Sequence, residues 1–177
     1  MKPISLPLPE SYWVEPNRFL AGEYPGGYND EFTRRRIDAL IQTGINTFMD
    51  LTEPNENIPY TNILHEQAKI WEVNVHYHNF PIPDFRLPTP DQMKSILDAI
   101  DEALQKGQNI YLHCWGGIGR TGTTVGCYLV RHGKTGEEAL RQLATWWKTV
   151  PKSVWHKRTP ETPEQIEFIL QWARSRV

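Results

Sequence analysis

His113-Cys114-Trp115-Gly116-Gly117-Ile118-Gly119-Arg120-Thr121-Gly122 is the stretch on which the reading of this 177-residue chain turns. A short run of strand-forming residues, Asn109 to His113, leads into it, and a helical pattern, Thr121 to Arg131, leads out. Cys114 and Arg120 stand at its two ends, and three of the five residues between them are glycine. That much chain can curl into a cradle whose N–H groups point inward at a helix N-terminus, an anion nest that fits a phosphate dianion.

Each residue of the stretch has a physical task. The positive potential of the nest favours thiolate over thiol, which makes Cys114 a candidate nucleophile toward phosphorus. Gly116, Gly117 and Gly119 suit positions where φ is positive or a side chain would hold the phosphate off the backbone. With Trp115, Ile118 and Arg120 they form the expected substrate-binding set. Arg120 offers a planar fork for two phosphoryl oxygens and offsets charge on the equatorial oxygens. Thr121 can bring its hydroxyl to the sulfur, and His113 is expected to orient the loop. A cysteine after a strand is more often inert packing, but glycines, arginine and flanking histidine and threonine at this spacing favour the phosphate loop.

Outward from the loop, strand and helix patterns alternate. Residues 1–28 are rich in proline, glycine and aromatics and read as a capping segment, with Tyr12–Val14 and Phe19–Ala21 as edge strands. Asn29 is a plausible N-cap for a helix carrying Phe32, Ile37, Leu40 and Ile41, with Gly44 as the residue just past its end. A strand over Ile45–Leu51 follows, then a helix suggested by Ile63, Gln67, Ile70 and Trp71, then a strand over Val73–Phe80. Pro81-Ile82-Pro83-Asp84-Phe85 is too proline-rich to pair and reads as an exposed loop. Thr89, Pro90 and Gln92 fit a capping box ahead of Met93, Ile96, Leu97, Ile100 and Leu104, a helix ending at Gly107. Glu137–Lys148 and Glu164–Arg176 carry two more amphipathic patterns. The expected fold is α/β, a central largely parallel sheet flanked by helices, with the ligand site at the C-terminal strand edge.

At His113-Cys114, five residues, Arg120 and Thr121, the sequence resembles the protein-tyrosine phosphatase superfamily, in particular its small dual-specificity-like members. The resemblance implies a phosphatase fold over the whole chain, phosphomonoester hydrolysis through a phosphocysteine, and no metal or other cofactor. Phe80-Pro81-Ile82-Pro83-Asp84 is similar to the mobile loop that carries the general acid, about thirty residues upstream of the cysteine, and so implies Asp84 in that role. Locally, Asp84 could equally be a turn residue after Pro83. Asp91, the competing carboxylate, is accounted for by a helix first turn. The segment Arg158 to Gln165 is similar to the one whose glutamine positions the hydrolytic water, which implies that part for Gln165; an exposed first-turn residue is the bland alternative. No counterpart of the tyrosine-recognition loop of the classical enzymes is found. Phosphotyrosine and phosphoserine or phosphothreonine proteins therefore both stay open as substrates.

Composition bounds the rest. With 39% hydrophobic and 23% charged residues and seven tryptophans, the chain is expected to fold as a single domain over 1–177. A net charge of -2 gives no global basic footprint, so no nucleic-acid partner is expected. No apolar stretch reaches membrane-span length, and the reading is cytoplasmic, with a phosphorylated protein as partner and a monomer by default. Cys127 sits about ten ångströms along the following helix at about 1.5 Å per residue and reads as core. Lys148, Lys152, His156, Lys157 and Arg158 form a basic cluster, expected to be a solvated surface. The alternatives are a phosphoinositide or RNA 5′-phosphate phosphatase, which would want more cations at the cradle, and a phosphate-binding pseudophosphatase. A sulfur-transfer or arsenate-reducing enzyme also needs an activated cysteine in an anion loop, and arsenate chemistry would usually want more cysteines than this chain has.

Overall fold

Strand-forming segments assemble into a five-stranded sheet in the computed structural model, which describes residues 5–174. The strands are β1 (Ser11–Glu15), β2 (Phe19–Gly22), β3 (Thr47–Asp50), β4 (His76–Asn79) and β5 (Ile110–His113), in spatial order β1-β2-β5-β3-β4. All neighbouring pairs are parallel except β1 with β2. The α/β class and mostly parallel sheet match the expectation. The Phe19–Ala21 run does not form an edge strand: β2 lies between β1 and β5 with all four residues buried.

Side chains alternate across the sheet, as the two-residue period of a strand requires. Leu20, Phe48 and Tyr111 pack on one face with residues of α1 (Asp30–Gln42) and α2 (Thr61–Ile70). Phe19, Met49, Ile110 and Leu112 face the other way. There they meet α3 (Pro90–Gln105), α4 (Gly119–Arg131), α5 (Gly136–Trp147) and α6 (Pro163–Arg174). Because β3 and β5 are covered on both faces, their residues are buried throughout, the usual condition of parallel strands.

Local signals explain the helix limits. The Asn29 side chain accepts from the Phe32 N–H, and Gly44 past the end of α1 has φ +89°. Thr89 caps α3 by accepting from the Gln92 N–H, but the expected reciprocal bond does not form. Gln92 Nε2 donates instead to the Pro81 carbonyl at 2.7 Å and ties α3 to the Asp84 loop. Thr135 and Glu138 form the full capping box at α5. Along α2 the buried stripe is Ile63, Leu64, Gln67 and Ala68, while Ile70 and Trp71 point outward. The expected extension of the last helix to Arg176 lies outside the described residues.

Two features position the site. The loop carrying Asp84 leaves β4 beside the C-terminal ends of β3 and β5, where Ile82 N–H bonds to the Leu51 carbonyl. The segment before α6, and α6 itself, are held close to α4 by missing side chains: a Cβ on Gly122 would meet Thr159 Oγ1 at 2.2 Å, and one on Gly126 would meet Ile169 of α6 at 2.2 Å. Among the described residues, no helix is long and apolar enough to cross a membrane.

Candidate active site

The loop from Cys114 to Gly119 joins β5 to α4 at the carboxyl end of the sheet, and its peptide groups are sorted by direction of bonding. The Cys114 carbonyl is 3.2 Å from His113 Nδ1, and the Trp115 carbonyl accepts from the Tyr24 N–H at 2.9 Å. Those of Gly116 and Ile118 accept from Lys152 Nζ at 2.9 Å and Thr159 Oγ1 at 2.7 Å. Among the described residues, no protein acceptor takes the backbone N–H groups from Trp115 to Arg120. Carbonyls thus bond to the surroundings while a run of donors at a helix N-terminus is left for an anion. Gly117 allows the turn, with φ +71° and a missing Cβ that would lie 2.6 Å from the Gly22 carbonyl carbon.

Cys114 is 3% exposed and accepts a hydrogen bond at Sγ from Thr121 Oγ1 at 3.1 Å. His113, fully buried beneath it, has its ring pushed below the ordinary histidine value chiefly by desolvation, with Asp50 opposing. A neutral ring facing the Cys114 carbonyl must carry its proton on Nδ1 and so accepts from the Tyr60 hydroxyl at Nε2, 2.7 Å away. His113 therefore fixes the loop through its backbone.

Arg120 is 2% exposed and heavily engaged. Its Nη1 donates to Glu56 Oε2 at 2.8 Å and to the Ile82 carbonyl at 3.0 Å; Nη2 donates to Glu56 Oε1 at 2.6 Å and lies 3.1 Å from Asp84 Oδ1. Nε is buried with no partner. Burial alone would lower the guanidinium pKa, but Glu56, Cys114 and Asp84 outweigh it and raise it. Desolvation likewise pushes the Glu56 carboxyl up, and bonds from Arg120 and the Glu53 N–H outweigh it, leaving the group below its ordinary value. The Asp84 carboxylate, on a half-exposed side chain, thus sits on the guanidinium edge that a phosphoryl oxygen would use.

Gln165 is fully buried, not exposed in a helix first turn. Its Oε1 accepts from the N–H groups of Glu161 and Thr162, and its Nε2 has no partner. That amide lies against the loop: a Cβ on Gly119 would meet Gln165 Nε2 at 2.9 Å. The structure therefore gathers Cys114, Arg120, Thr121, Asp84 and Gln165 about one cradle, while Asp91 is exposed on α3.

A cavity of about 410 Å³ opens over the cradle. Trp115, Phe85 and Trp155 line it, exposed by 63%, 60% and 83%. Asp84, Glu161, Lys152 and His156 are its titratable lining residues. Glu161 is pushed above the ordinary carboxylate value by burial and then by the Asp84 charge. The basic cluster is accordingly not one solvated surface: Lys152 bridges Glu23 and the Gly116 carbonyl and His156 lines the cavity, while Lys148, Lys157 and Arg158 are exposed. The sequence reading missed Glu56, which lies 64 residues from Arg120 with no local pattern linking the two. It also missed Glu161, for which proximity to Gln165 was the available signal. Among the described residues, no group of three or more His, Cys, Asp or Glu is placed to hold a metal ion.

The chain is similar in sequence and in fold to known phosphatases. The profile of the family described as "Tc-R-P: Polymorphic toxin system, DSP-PTPase phosphatase" matches residues 27–134. Protein tyrosine phosphatase domain-containing protein 1 of Mus musculus is 24% identical over 137 residues, 67% of this chain and 18% of that protein. Dual specificity protein phosphatase CDC14B of Mus musculus is 26% identical over 127 residues, 68% of this chain and 24% of that protein. The match thus spans about a quarter or less of either relative's length. Among solved structures, Tk-PTP in the active form superposes with TM-score 0.73 at 25% identity, covering 96% of this chain and 99% of that one. PTPMT1 in complex with PI(5)P superposes with TM-score 0.69 at 16% identity, covering 94% and 96%, a likeness of fold.

Proposed function

The chain belongs to the polymorphic toxin system DSP-PTPase phosphatase family, and on that premise we propose that this cysteine-dependent phosphatase hydrolyses phosphomonoesters on proteins, phosphotyrosine foremost, through a phosphocysteine at Cys114. The observation that carries this reading is the sorted loop, with carbonyls bonded to the surroundings and N–H groups free around Cys114. Substrate phosphate takes those donors together with Arg120 Nε and displaces Asp84 from Nη2. The Cys114 thiolate then attacks phosphorus as the ester P–O bond breaks, and Asp84, which off the guanidinium carries the proton it takes up in the second step of each turnover, gives that proton to the leaving oxygen.

In the second step water attacks the phosphocysteine, its proton passes to Asp84, and the S–P bond breaks to return thiolate and release phosphate. Thr121 Oγ1, already bonded to Sγ, stabilises the departing thiolate. Gln165 Nε2, the unpartnered donor against the loop, orients the water. The aromatic rim of Trp115, Phe85 and Trp155 suits an aryl ester. Lys152, which lines the cavity, is already paired with Glu23, and two carboxylates share the space. This balance favours a monoester over the polyanionic headgroup of a phosphoinositide or an RNA 5′ end.

The test is hydrolysis of p-nitrophenyl phosphate in EDTA by the reduced protein and by Cys114→Ser. Metal-independent turnover lost in the variant supports the mechanism. Phosphate binding without turnover in the reduced wild type would make the protein a pseudophosphatase.

A further inference from the structure

A second, uncharged cleft opens on the far side of Trp115. It measures about 260 Å³, and Tyr28 and Ile58 form its rim, 80% and 68% exposed. Its base is built to be shallow and firm. The Tyr24 hydroxyl donates to the Ile58 carbonyl at 2.9 Å, and the Tyr24 N–H holds the Trp115 carbonyl. A Cβ on Gly27 would meet the Phe32 ring at 2.2 Å, so the chain here runs directly over that ring. Tyr28 leans on Phe32, the ring centroids 5.1 Å apart.

Three observations say what fits. The cleft adjoins the catalytic cavity across Trp115, which lines both. No charged residue lines it, so it offers nothing to a second phosphate. Asn57 stands in its wall, and its amide nitrogen, closed off from solvent, lacks a hydrogen-bond partner; a turn of that side chain offers it to a peptide carbonyl. An apolar side chain with an adjoining carbonyl is what a polypeptide presents next to its phosphorylated residue.

We propose that Tyr28, Asn57, Ile58 and the outer face of Trp115 form a subsite for an apolar side chain flanking the phosphorylated residue of a protein substrate. This rests on the phosphatase reading of the neighbouring cavity and narrows it, since the phosphate enters on one side of Trp115 and the flanking residue on the other. The subsite acts on binding and leaves the chemistry at Cys114 untouched.

The experiment is a leucine scan, one position at a time, through a phosphotyrosine peptide on an alanine background, read as kcat/KM. Leucine at one position or two adjacent positions raises kcat/KM about tenfold, mainly through KM, the scale expected for covering most of one leucine side chain. Ile58→Asp and Tyr28→Ala abolish that gain and leave p-nitrophenyl phosphate turnover unchanged. Asn57→Ala lowers kcat/KM for the peptide and not for the small ester. A flat scan, or a gain that survives Ile58→Asp, overturns the subsite, as does a short-chain phosphatidylinositol phosphate hydrolysed better than every peptide. Loss of all turnover in wild type would instead strike the catalytic reading. Affinity of the same peptides for Cys114→Ser, followed by tryptophan fluorescence, reads the cleft without catalysis.

Discussion

Replacing Glu56 by glutamine removes one charge and leaves shape nearly unchanged. In the native pair two carboxylate oxygens take Nη1 and Nη2 of Arg120 at 2.8 and 2.6 Å. In Glu56→Gln one acceptor survives, but the amide NH2 must face the other guanidinium nitrogen, donor against donor. Charge-assisted bonds contribute about 1.5–3 kcal/mol each. Because the Glu56 side chain keeps 19% of its exposure, solvent screening brings the net loss to about 2 kcal/mol. At about 2–4 °C per kcal/mol for a chain of this size, the melting temperature falls by about 4–8 °C. Arg120 keeps its bonds to Ile82 and Asp84 but loses the partner that sets its plane, and kcat/KM falls about 10–100-fold.

Two readouts separate aim from stability. Inhibition by vanadate weakens in step with kcat/KM, because both need the guanidinium fork aligned. The Glu56 carboxyl is held below its ordinary value of 4.5 in the fold, so its stabilising share is complete above pH 4.5 and disappears as pH falls through the depressed folded value. The melting difference between wild type and variant is therefore constant from pH 7 down to about 5 and closes below 4.5. A kcat/KM within twofold of wild type, or a melting gap that widens on acidification, would refute the argument.

Asp84→Asn is expected to lower kcat by about 10²–10⁴-fold with vanadate affinity largely kept, measured by steady-state kinetics and inhibition. Gly117→Ala forces a side chain into a backbone with φ +71° and to 2.6 Å from Gly22; a lower melting temperature together with loss of vanadate binding is expected. Peroxide should inactivate the enzyme and thiol restore it. Cys127→Ser should inactivate at an unchanged rate, because Cys127 is fully buried and its thiol is pushed far up by that burial; an internal disulfide detected by mass spectrometry would contradict this.

Much of the fold was legible because the signals were local. Asn29 and Thr89 cap their helices as their sequence context implies, and Gly44 and Gly107 end them with positive φ. The β2 error has a physical cause: a four-residue strand flanked by turns carries too little pattern to distinguish an edge from an interior position, which is set by a partner about ninety residues away. The same limit governs the site. Cys114, Arg120 and Thr121 share one loop and could be read together, whereas Glu56 is tied to Arg120 only through the folded chain. Lys152 was misread because nothing near it in sequence reveals Glu23 or the Gly116 carbonyl.

The interior place of β2 bears on how this protein can be cut and handled. The family match begins at residue 27, after β2, and ends at residue 134, before α5 and α6. A fragment trimmed to those limits would keep the nucleophile and the arginine yet leave the long flank of β5 unpaired, a bare edge inviting strand-to-strand aggregation. It would also strip Tyr24 from Trp115, Lys152 from Gly116 and Thr159 from Ile118, so the cradle would lose three of the outside hands that turn its carbonyls away. The span recognisable by descent is therefore smaller than the span that must be expressed to recover a working enzyme.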